Sequence, residues 1–283
     1  MDSIYVKDLC KSWGSFALNH LSFHVPQGCI VGLMGENGAG KSTTIRLLAD
    51  ALTPDAGEIL LLGGSPQDPA IKEQLGVVFD ETGFHHVFTP KRIGKMLSGI
   101  YRTWDEALFQ SYLERFHIPS EKAIGSLSKG TRQKLAIVSA LAHRPKLLLL
   151  DEVTAGLDPV VRGELLDLFL EFIQDETHTI LFSSHISSDV ERIADYVILL
   201  HRGKVVLQAQ KDALLYDCGI VRCSRADFAQ LSPDDYLFAR QTNTAMECLV
   251  ADKAAFRRSH DHLLVDRVTL EELLLFYTKE EIS

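Results

Sequence analysis

The sequence has few cysteines, and they are not arranged in pairs. Its five cysteines are an odd number, and no two of them form a C-x-x-C motif. A disulfide-rich scaffold and a structural zinc site both need paired cysteines, so neither class fits this chain. We expect reduced thiols, as in a cytosolic protein.

Long hydrophobic runs are also missing. Continuous apolar stretches such as residues 147–150 are far shorter than the roughly 20 residues that a membrane-spanning helix needs. The first residues contain no basic segment followed by an apolar one, so we expect no signal peptide. If the protein works at a membrane, we expect another chain to span it.

Positive charge is scarce. The chain has 29 Lys and Arg against 38 Asp and Glu, a net charge of −9. A nucleic-acid-binding surface needs clustered Lys and Arg, so we expect no nucleic-acid partner. With 46% apolar and 24% charged residues, the 283 residues have the composition of a globular protein. That length suits one large domain, or one domain with a small appendage.

A glycine-rich stretch, residues 35–43, fits the pattern G-x-x-x-x-G-K-[ST] of a phosphate-binding loop. An apolar run (residues 29–34) precedes it and an apolar-periodic segment (residues 44–52) follows, which predicts strand, loop and helix. Glycines let successive N–H groups point at a polyphosphate, and the helix start directs its positive dipole end to the same anion. Lys41 offers an ammonium to the β- and γ-phosphates, and Ser42 offers a hydroxyl to Mg²⁺. The alternative is a glycine-rich turn that binds nothing. The candidate nucleotide-binding residues of the loop are Gly35, Asn37, Gly38, Gly40, Lys41, Ser42 and Thr43.

Two carboxylates follow the apolar run at residues 147–150. Four leucines indicate a central parallel strand that is buried on both faces. Asp151 and Glu152 come at its carboxyl end, where ligands bind in open α/β sheets. Asp151 is placed to hold Mg²⁺, and Glu152 to polarise a water in line with the γ-phosphate. The alternative is a strand end with acidic caps.

Three weaker signals accompany these two. Ser128 and Gly130 begin an amphipathic helix and offer a second anion site, although Ser-x-Gly before a helix is usually only an N-cap. A predicted strand at residues 178–183 leads to His185, which could form a hydrogen bond with a γ-phosphate or with the attacking water. A lone histidine usually has no such role. Trp13, at a turn between two strands, either stacks on a purine ring or packs on the turn.

The pattern of apolar residues changes along the chain. Strands and helices alternate over residues 1–208, with a helical insertion at about residues 85–143. Beyond this point the pattern is less regular, with short strands and a terminal helix at residues 270–278. We therefore predict an ATP-binding domain over residues 1–208 and a C-terminal accessory domain over residues 209–283.

The ordered set of motifs closely resembles the nucleotide-binding subunit of an ABC (ATP-binding cassette) transporter, over roughly residues 3–208. The matching features are the phosphate loop, a signature-like sequence at residues 127–131, the strand ending in Asp151 and Glu152, the turn at residues 156–158, and the switch histidine His185. A phosphate loop alone is shared by many folds, whereas the ordered set is specific.

The resemblance implies an α/β fold: a P-loop NTPase cassette with a RecA-like core, an antiparallel β subdomain and a helical insertion. The small α+β C-terminal domain is added to it. ATP and Mg²⁺ are the implied cofactors. Glu152 and His185 are the implied catalytic residues, and Ser42, Asp80 and Asp151 the implied metal ligands.

The resemblance also implies partners. Two such subunits pair head to tail, and each ATP lies between one phosphate loop and the signature of the other subunit. Ser128 and Gly130 then contact the partner's nucleotide, Asp158 is a further nucleotide-binding residue, and Trp13 matches the aromatic residue that stacks on adenine. A separate transmembrane permease subunit holds the pair at the cytoplasmic face of the membrane.

Four positions depart from the family pattern. Lys129 and Thr131 replace the usual Gly and Gln of the signature, and Val153 replaces a common Pro. Asp80 stands where a glutamine normally ends the strand, which puts its metal ligation in question. Its neighbour Glu81, or a bridging water, is the substitute ligand that the sequence offers.

The Ser-Lys-Gly signature, Trp104-Asp105 and the Leu-Glu-Glu at residues 270–272 resemble one subgroup, the bacterial ABC-2-type exporters of peptides or antibiotics. The alternative function is a regulatory or translation-associated ATPase that uses ATP as a conformational clamp. An inactive subunit would be expected to lack Glu152 or His185, and this sequence has both.

Overall fold

The computed structural model describes residues 1–14, 16–80 and 83–278. Within these ranges the strands are β1 (Asp2–Trp13), β2 (Phe16–Pro26), β3 (Ile30–Gly35), β4 (Ala56–Leu61), β5 (Leu75–Val78), β6 (Leu147–Asp151), β7 (Thr179–Ser183), β8 (Tyr196–His201), β9 (Lys204–Gln210), β10 (Gly219–Cys223), β11 (Phe238–Gln241), β12 (Met246–Val250) and β13 (Val265–Arg267). The α-helices are α1 (Lys41–Leu48), α2 (Pro69–Lys72), α3 (Pro90–Leu97), α4 (Glu106–Arg115), α5 (Lys129–Leu141), α6 (Pro159–Phe172), α7 (Ser187–Ile193), α8 (Lys211–Asp217), α9 (Arg225–Phe228), α10 (Lys253–Ser259) and α11 (Leu270–Thr278). None of the helices in this described part combines the length and apolar character needed to cross a bilayer.

A six-stranded sheet occupies the centre of the molecule, in the order β5-β6-β7-β3-β8-β9. Its first five strands are parallel, and β9 pairs antiparallel with β8. Every residue of β3, β6 and β7 is buried, which accounts for their continuous apolar runs. The strands predicted at residues 29–34 and 147–150 are therefore confirmed, and their carboxyl ends lie at one edge of the sheet.

A three-stranded antiparallel sheet, in the order β2-β1-β4, packs on one side of this core. Ile4, Val6 and Leu21 of this sheet are buried in one cluster with Leu33 of β3 and Ile45 of α1. Ile4 and Val6 are two residues apart in β1, the alternation that predicts a strand with one buried face. Helix α1, which follows the phosphate loop, is therefore fixed in place by apolar contacts, as the apolar periodicity of residues 44–52 predicts.

Helices α3, α4 and α5 form the helical insertion that is predicted at about residues 85–143. Thr89 and Asp105 cap α3 and α4, each accepting a hydrogen bond from the N–H three residues ahead, at 3.3 and 2.8 Å. Phe109 is completely buried against Gly94, where a Cβ would lie 2.7 Å from its ring. The apolar faces of these helices therefore pack against one another.

Between β7 and β8 the structure has a helix, α7, that the sequence pattern does not predict. It lies directly on the sheet: Val190 is fully buried, and a Cβ on Gly32 of β3 would lie 2.5 Å from Val190 Cγ1. Asp189 is also fully buried and pairs with Arg162 of α6 at 2.5 Å. A seven-residue helix without a side-chain N-cap has little periodicity to detect, which explains the omission.

The C-terminal segment, residues 209–278, forms an antiparallel sheet in the order β11-β12-β10-β13 together with helices α8 to α11. One side of it has its own buried cluster around Phe256. Leu270 and Phe276 of α11, however, join the same buried cluster as Val190 of α7. The predicted terminal helix is confirmed. The domain division at residue 208 stays a prediction, because side chains from both parts share one core.

The contact between β3 and α7 gives a testable expectation. Gly32→Ala should destabilise the fold by about 1–3 kcal/mol, the usual cost of overpacking, because the new methyl group meets the stiff Val190 side chain. Urea unfolding of the purified protein measures the change. In a Val190→Ala background the same change should cost little, since the space is then available. An equal cost in both backgrounds would contradict this account of the contact.

Candidate active site

The phosphate loop joins the carboxyl end of β3 to the start of α1. Gly38 and Gly40 have φ angles of 82° and 112°, in the left-handed region that favours glycine. Gly40 is the N-cap of α1 and provides no side-chain hydrogen bond to the first turn of the helix. The first N–H groups and the positive end of the helix dipole are therefore left for an anion.

Lys41 is buried, with 5% of its surface exposed, although it carries a charge. Its Nζ donates hydrogen bonds to the carbonyl oxygens of Gly35 at 2.8 Å and Glu36 at 3.3 Å. It also lies 3.3 Å from Glu152 Oε1, at the end of β6. A buried ammonium group needs such partners, and these hold it inside the loop.

Asp151 is buried at the end of β6, next to Ser183 at the end of β7. Its Oδ1 accepts hydrogen bonds from Ser42 Oγ at 2.9 Å and from Ser183 Oγ at 2.7 Å. Burial raises the pKa of the Asp151 carboxyl, and the two hydroxyl donors offset part of the rise. The carboxyl group thus connects the phosphate loop to two central strands.

Glu152 lies between a lysine and a histidine. Its φ of 51° is uncommon for a residue with a side chain, and its N–H donates to Ser183 Oγ at 2.9 Å. The side chain places Oε1 3.3 Å from Lys41 Nζ and Oε2 2.6 Å from His185 Nδ1. The predicted general base and the predicted switch histidine are therefore in direct contact.

Lys41, Glu152 and His185 line a cavity of about 370 Å³, a volume within the range of small-molecule sites, while Asp151 lies buried behind its wall under Ser42. Asp80, which follows β5, reaches the same cavity from an exposed position. The cavity brings most of the predicted site residues together. It is lined by Phe16, Asn37, Gly38, Gly40, Lys41, Ser42, Thr43, Asp80, Glu152, Ala155 and His185.

Three predicted residues lie at helix starts and not along this cavity. Ser128 caps α5, accepting from the N–H three residues ahead at 3.1 Å, and Asp158 caps α6 through two N–H groups. Gly130 faces α6, and Lys129 Nζ donates to the carbonyl oxygen of Ala155 at 2.9 Å. The signature-like residues and the turn after β6 therefore form one continuous surface.

Trp13 is 43% exposed at the end of β1, with Lys11 Nζ 5.6 Å from the ring centroid. Phe16, its partner across the hairpin, lines the cavity instead. Phe16 is not among the residues predicted from the sequence, although an aromatic residue three positions after Trp13 was a usable signal. Ser183 was not predicted either, because its contact with Asp151 depends on the pairing of β6 with β7.

Within the described ranges, no group of three or more His, Cys, Asp or Glu side chains could hold a metal ion by itself. Ser42, Asp80 and Asp151 supply hydroxyl and carboxylate oxygens, the hard donors that suit Mg²⁺. Proteins commonly bind Mg²⁺ through one or two carboxylates together with phosphate oxygens of a substrate. The set therefore fits the protein's share of a nucleotide–metal site. Glu81, the substitute ligand, lies outside the described residues.

Comparisons with known proteins agree with this geometry. The sequence matches the family described as ABC transporter over residues 18–155. It is 37% identical over 207 residues to the ABC transporter ATP-binding protein NatA of Bacillus subtilis (strain 168), covering 70% of this chain and 83% of that protein. It is 36% identical over 219 residues to the bacitracin transport ATP-binding protein BcrA of Bacillus licheniformis, covering 75% of this chain and 71% of that protein.

A solved structure described as the ATP-binding subunit of an ABC transporter aligns with a TM-score of 0.68 and 29% identity. The alignment covers 75% of this chain and 91% of that one. The predicted P-loop cassette, with its parallel core, antiparallel sheet and helical insertion, is therefore confirmed. The chain belongs to the ABC transporter family: it is an ATP-binding subunit resembling those of ABC-2-type exporters, with ATPase activity that is coupled to transport.

Proposed function

We propose that this subunit closes head to tail with a second nucleotide-binding subunit around ATP and Mg²⁺. The pair drives export of peptides or antibiotics through a separate transmembrane permease subunit, from the cytoplasmic face of the membrane. One observation supports the proposed ATP hydrolysis. The Glu152 carboxylate contacts both Lys41 and His185 in the cavity that the phosphate loop lines.

Glu152 is the general base in this proposal. Its hydrogen bond with His185 holds the carboxylate at the cavity, where it accepts a proton from the attacking water. Lys41 turns from the Gly35 carbonyl oxygen to the β- and γ-phosphates, which are stronger partners for an ammonium group. Ser42, Asp151 and Asp80 would hold Mg²⁺, which would supply positive charge to the phosphates.

The positions of the helix starts support a composite site between two subunits. Ser128, Gly130 and Asp158 do not line the cavity of their own chain, and Ser128 and Asp158 are exposed. Lys129 holds the signature-like residues against the turn that precedes α6, so both present one surface. A second chain's nucleotide would be bound there by the N-terminus of α5 and the Ser128 hydroxyl.

The helical insertion supports a permease partner. Met96 and Ile100, four residues apart, are 45% and 65% exposed, and Val87 in the same insertion is 65% exposed. Exposed apolar groups in one region indicate an interaction surface. Two relatives are named for bacitracin transport, which supports export of peptides or antibiotics.

The Glu152→Gln variant tests the catalytic assignment. It should bind ATP with at least the affinity of the unaltered protein, and its kcat should fall by about 10²–10⁴, the contribution of a general base. Steady-state phosphate release and equilibrium nucleotide binding measure the two quantities. As a control, Lys41→Ala should lose nucleotide affinity itself. A kcat for Glu152→Gln within about twofold of the unaltered protein would contradict the assignment.

The Ser128→Arg variant tests the composite site. It should abolish ATP-dependent dimerisation, measured by light scattering in a Glu152→Gln background, because the arginine fills the space of the partner's nucleotide. ATP affinity of the single chain should stay unchanged. Ser111→Arg, at an exposed position of α4, adds the same charge as a matched control. If single-chain affinity falls as much as dimerisation, Ser128 serves its own chain and the proposal is wrong.

Asp80→Asn tests the unusual metal ligand. A carboxylate at this position strengthens Mg²⁺ binding, yet without the metal it repels the triphosphate, as Glu152 also does. The variant should therefore bind metal-free ATP better and gain less affinity from added Mg²⁺. Nucleotide titrations with Mg²⁺ and with EDTA measure the difference. An equal dependence on Mg²⁺ in both proteins would place Asp80 outside the metal shell.

A further inference from the structure

The short helix α7 connects the switch histidine to the rest of the molecule. It begins two residues after His185 and lies with Val190 fully buried against β3. Asp189 ties it to α6 through Arg162 at 2.5 Å. Any shift of α7 along the sheet therefore moves the end of the segment that carries His185.

Two hydrogen bonds from the C-terminal segment to α7 end on the same residue, Glu191. The N–H of Leu270, at the start of α11, donates to Glu191 Oε1 at 2.9 Å. Lys211 Nζ, at the start of α8, donates to the backbone carbonyl oxygen of Glu191 at 2.9 Å. Two elements that follow the cassette thus hold the same residue from its side chain and its backbone.

Apolar packing supports these hydrogen bonds. Leu270, Leu273 and Phe276 of α11 are buried in one cluster with Val190 and Ile193 of α7. Burial of apolar side chains of this size stabilises the contact between the two helices. Helix α11 is therefore fixed to α7 by apolar packing as well as by hydrogen bonds.

Helix α11 also faces the switch histidine across a cavity of about 390 Å³, to which His185, Ser187, Glu271 and Leu274 all contribute. This space leaves the histidine segment room to move. Helix α11 is in turn fixed to the C-terminal sheet, because Arg222 Nη2 donates to Glu272 Oε1 at 2.8 Å.

We propose that the C-terminal segment sets the rate of ATP hydrolysis, with Glu191 as the positioning residue that transmits the position of α11 through α7 to His185. The inference rests on the catalytic role proposed for His185. The hydrogen bond of 2.6 Å between His185 Nδ1 and Glu152 Oε2 is the contact that it controls. Misplacement of a reacting group by about 1 Å can cost 10²-fold in rate, so a small movement of α7 is sufficient.

Glu191→Ala removes the acceptor of the Leu270 N–H. We expect kcat for ATP hydrolysis to fall about five- to tenfold, at the lower end of typical couplings between sites. The KM for ATP should stay close to that of the unaltered protein, because the phosphate loop keeps its contacts. The thermal midpoint should also stay close, because the apolar packing of α11 on α7 is unchanged. Glu191→Gln retains an oxygen that accepts the same hydrogen bond and should restore most of kcat. Glu114→Ala, at an exposed position of α4, is the matched control and should leave kcat unchanged.

The double variant with His185→Ala tests the route. If Glu191 acts through His185, Glu191→Ala should have little further effect once the histidine is absent. Fully additive losses, or a Glu191→Gln variant as slow as Glu191→Ala, would overturn the inference. If His185→Ala alone leaves kcat unchanged, the proposed role of His185 fails, and the inference fails with it. If His185→Ala slows hydrolysis and Glu191→Ala does not, only the inference fails.

Discussion

The position of the Glu152 carboxylate depends on elements from separate parts of the cassette. It is held by an ammonium on one side and an imidazole on the other, at 3.3 and 2.6 Å. Lys41 comes from the helix after β3, Glu152 from the end of β6, and His185 from the residues after β7. The strand order β6-β7-β3 brings these three ends to one edge, as is usual for ligand sites of open parallel sheets.

The backbone at Glu152 shows how this position is stabilised. A non-glycine residue with φ of 51° costs on the order of 1–3 kcal/mol. The N–H of Glu152 donates to Ser183 Oγ, and the same hydroxyl donates to Asp151 Oδ1 at 2.7 Å. One serine on the neighbouring strand therefore orients both acidic residues. The same hydroxyl offsets part of the rise in the pKa of the Asp151 carboxyl that burial causes.

The departures from the family pattern have physical counterparts in the structure. Lys129 donates to the Ala155 carbonyl oxygen and joins the signature-like residues to the turn that follows β6. Thr131 Oγ1 lies 2.8 Å from Ser128 Oγ, so the substituted residue contacts the serine that is expected at the partner's nucleotide. Asp80 adds a carboxylate to the cavity wall. Each of these three side chains lies at the cavity or joins parts of the surrounding surface.

The local motifs could be predicted from the sequence, because their geometry depends on residues close together in the chain. The phosphate loop needs glycines at fixed positions between a strand and a helix, and the burial of β6 follows from its leucines. Most of the cavity wall followed from these patterns, and the fold class followed from the resemblance that the ordered set of motifs shows to the ABC family. The paired motifs at residues 35–43 and 151–152 were sufficient to predict a nucleotide site between them.

The tertiary structure decided the rest. The contact of Ser183 with both acidic residues requires that β7 lies beside β6, and the place of Phe16 at the cavity requires the hairpin to fold over the loop. Helix α7 is stabilised by burial of Val190 and Ile193 more than by a periodic pattern or cap. The packing of α11 on α7 joins residues about eighty positions apart. Such contacts depend on how separate elements come together, which no short stretch of sequence encodes.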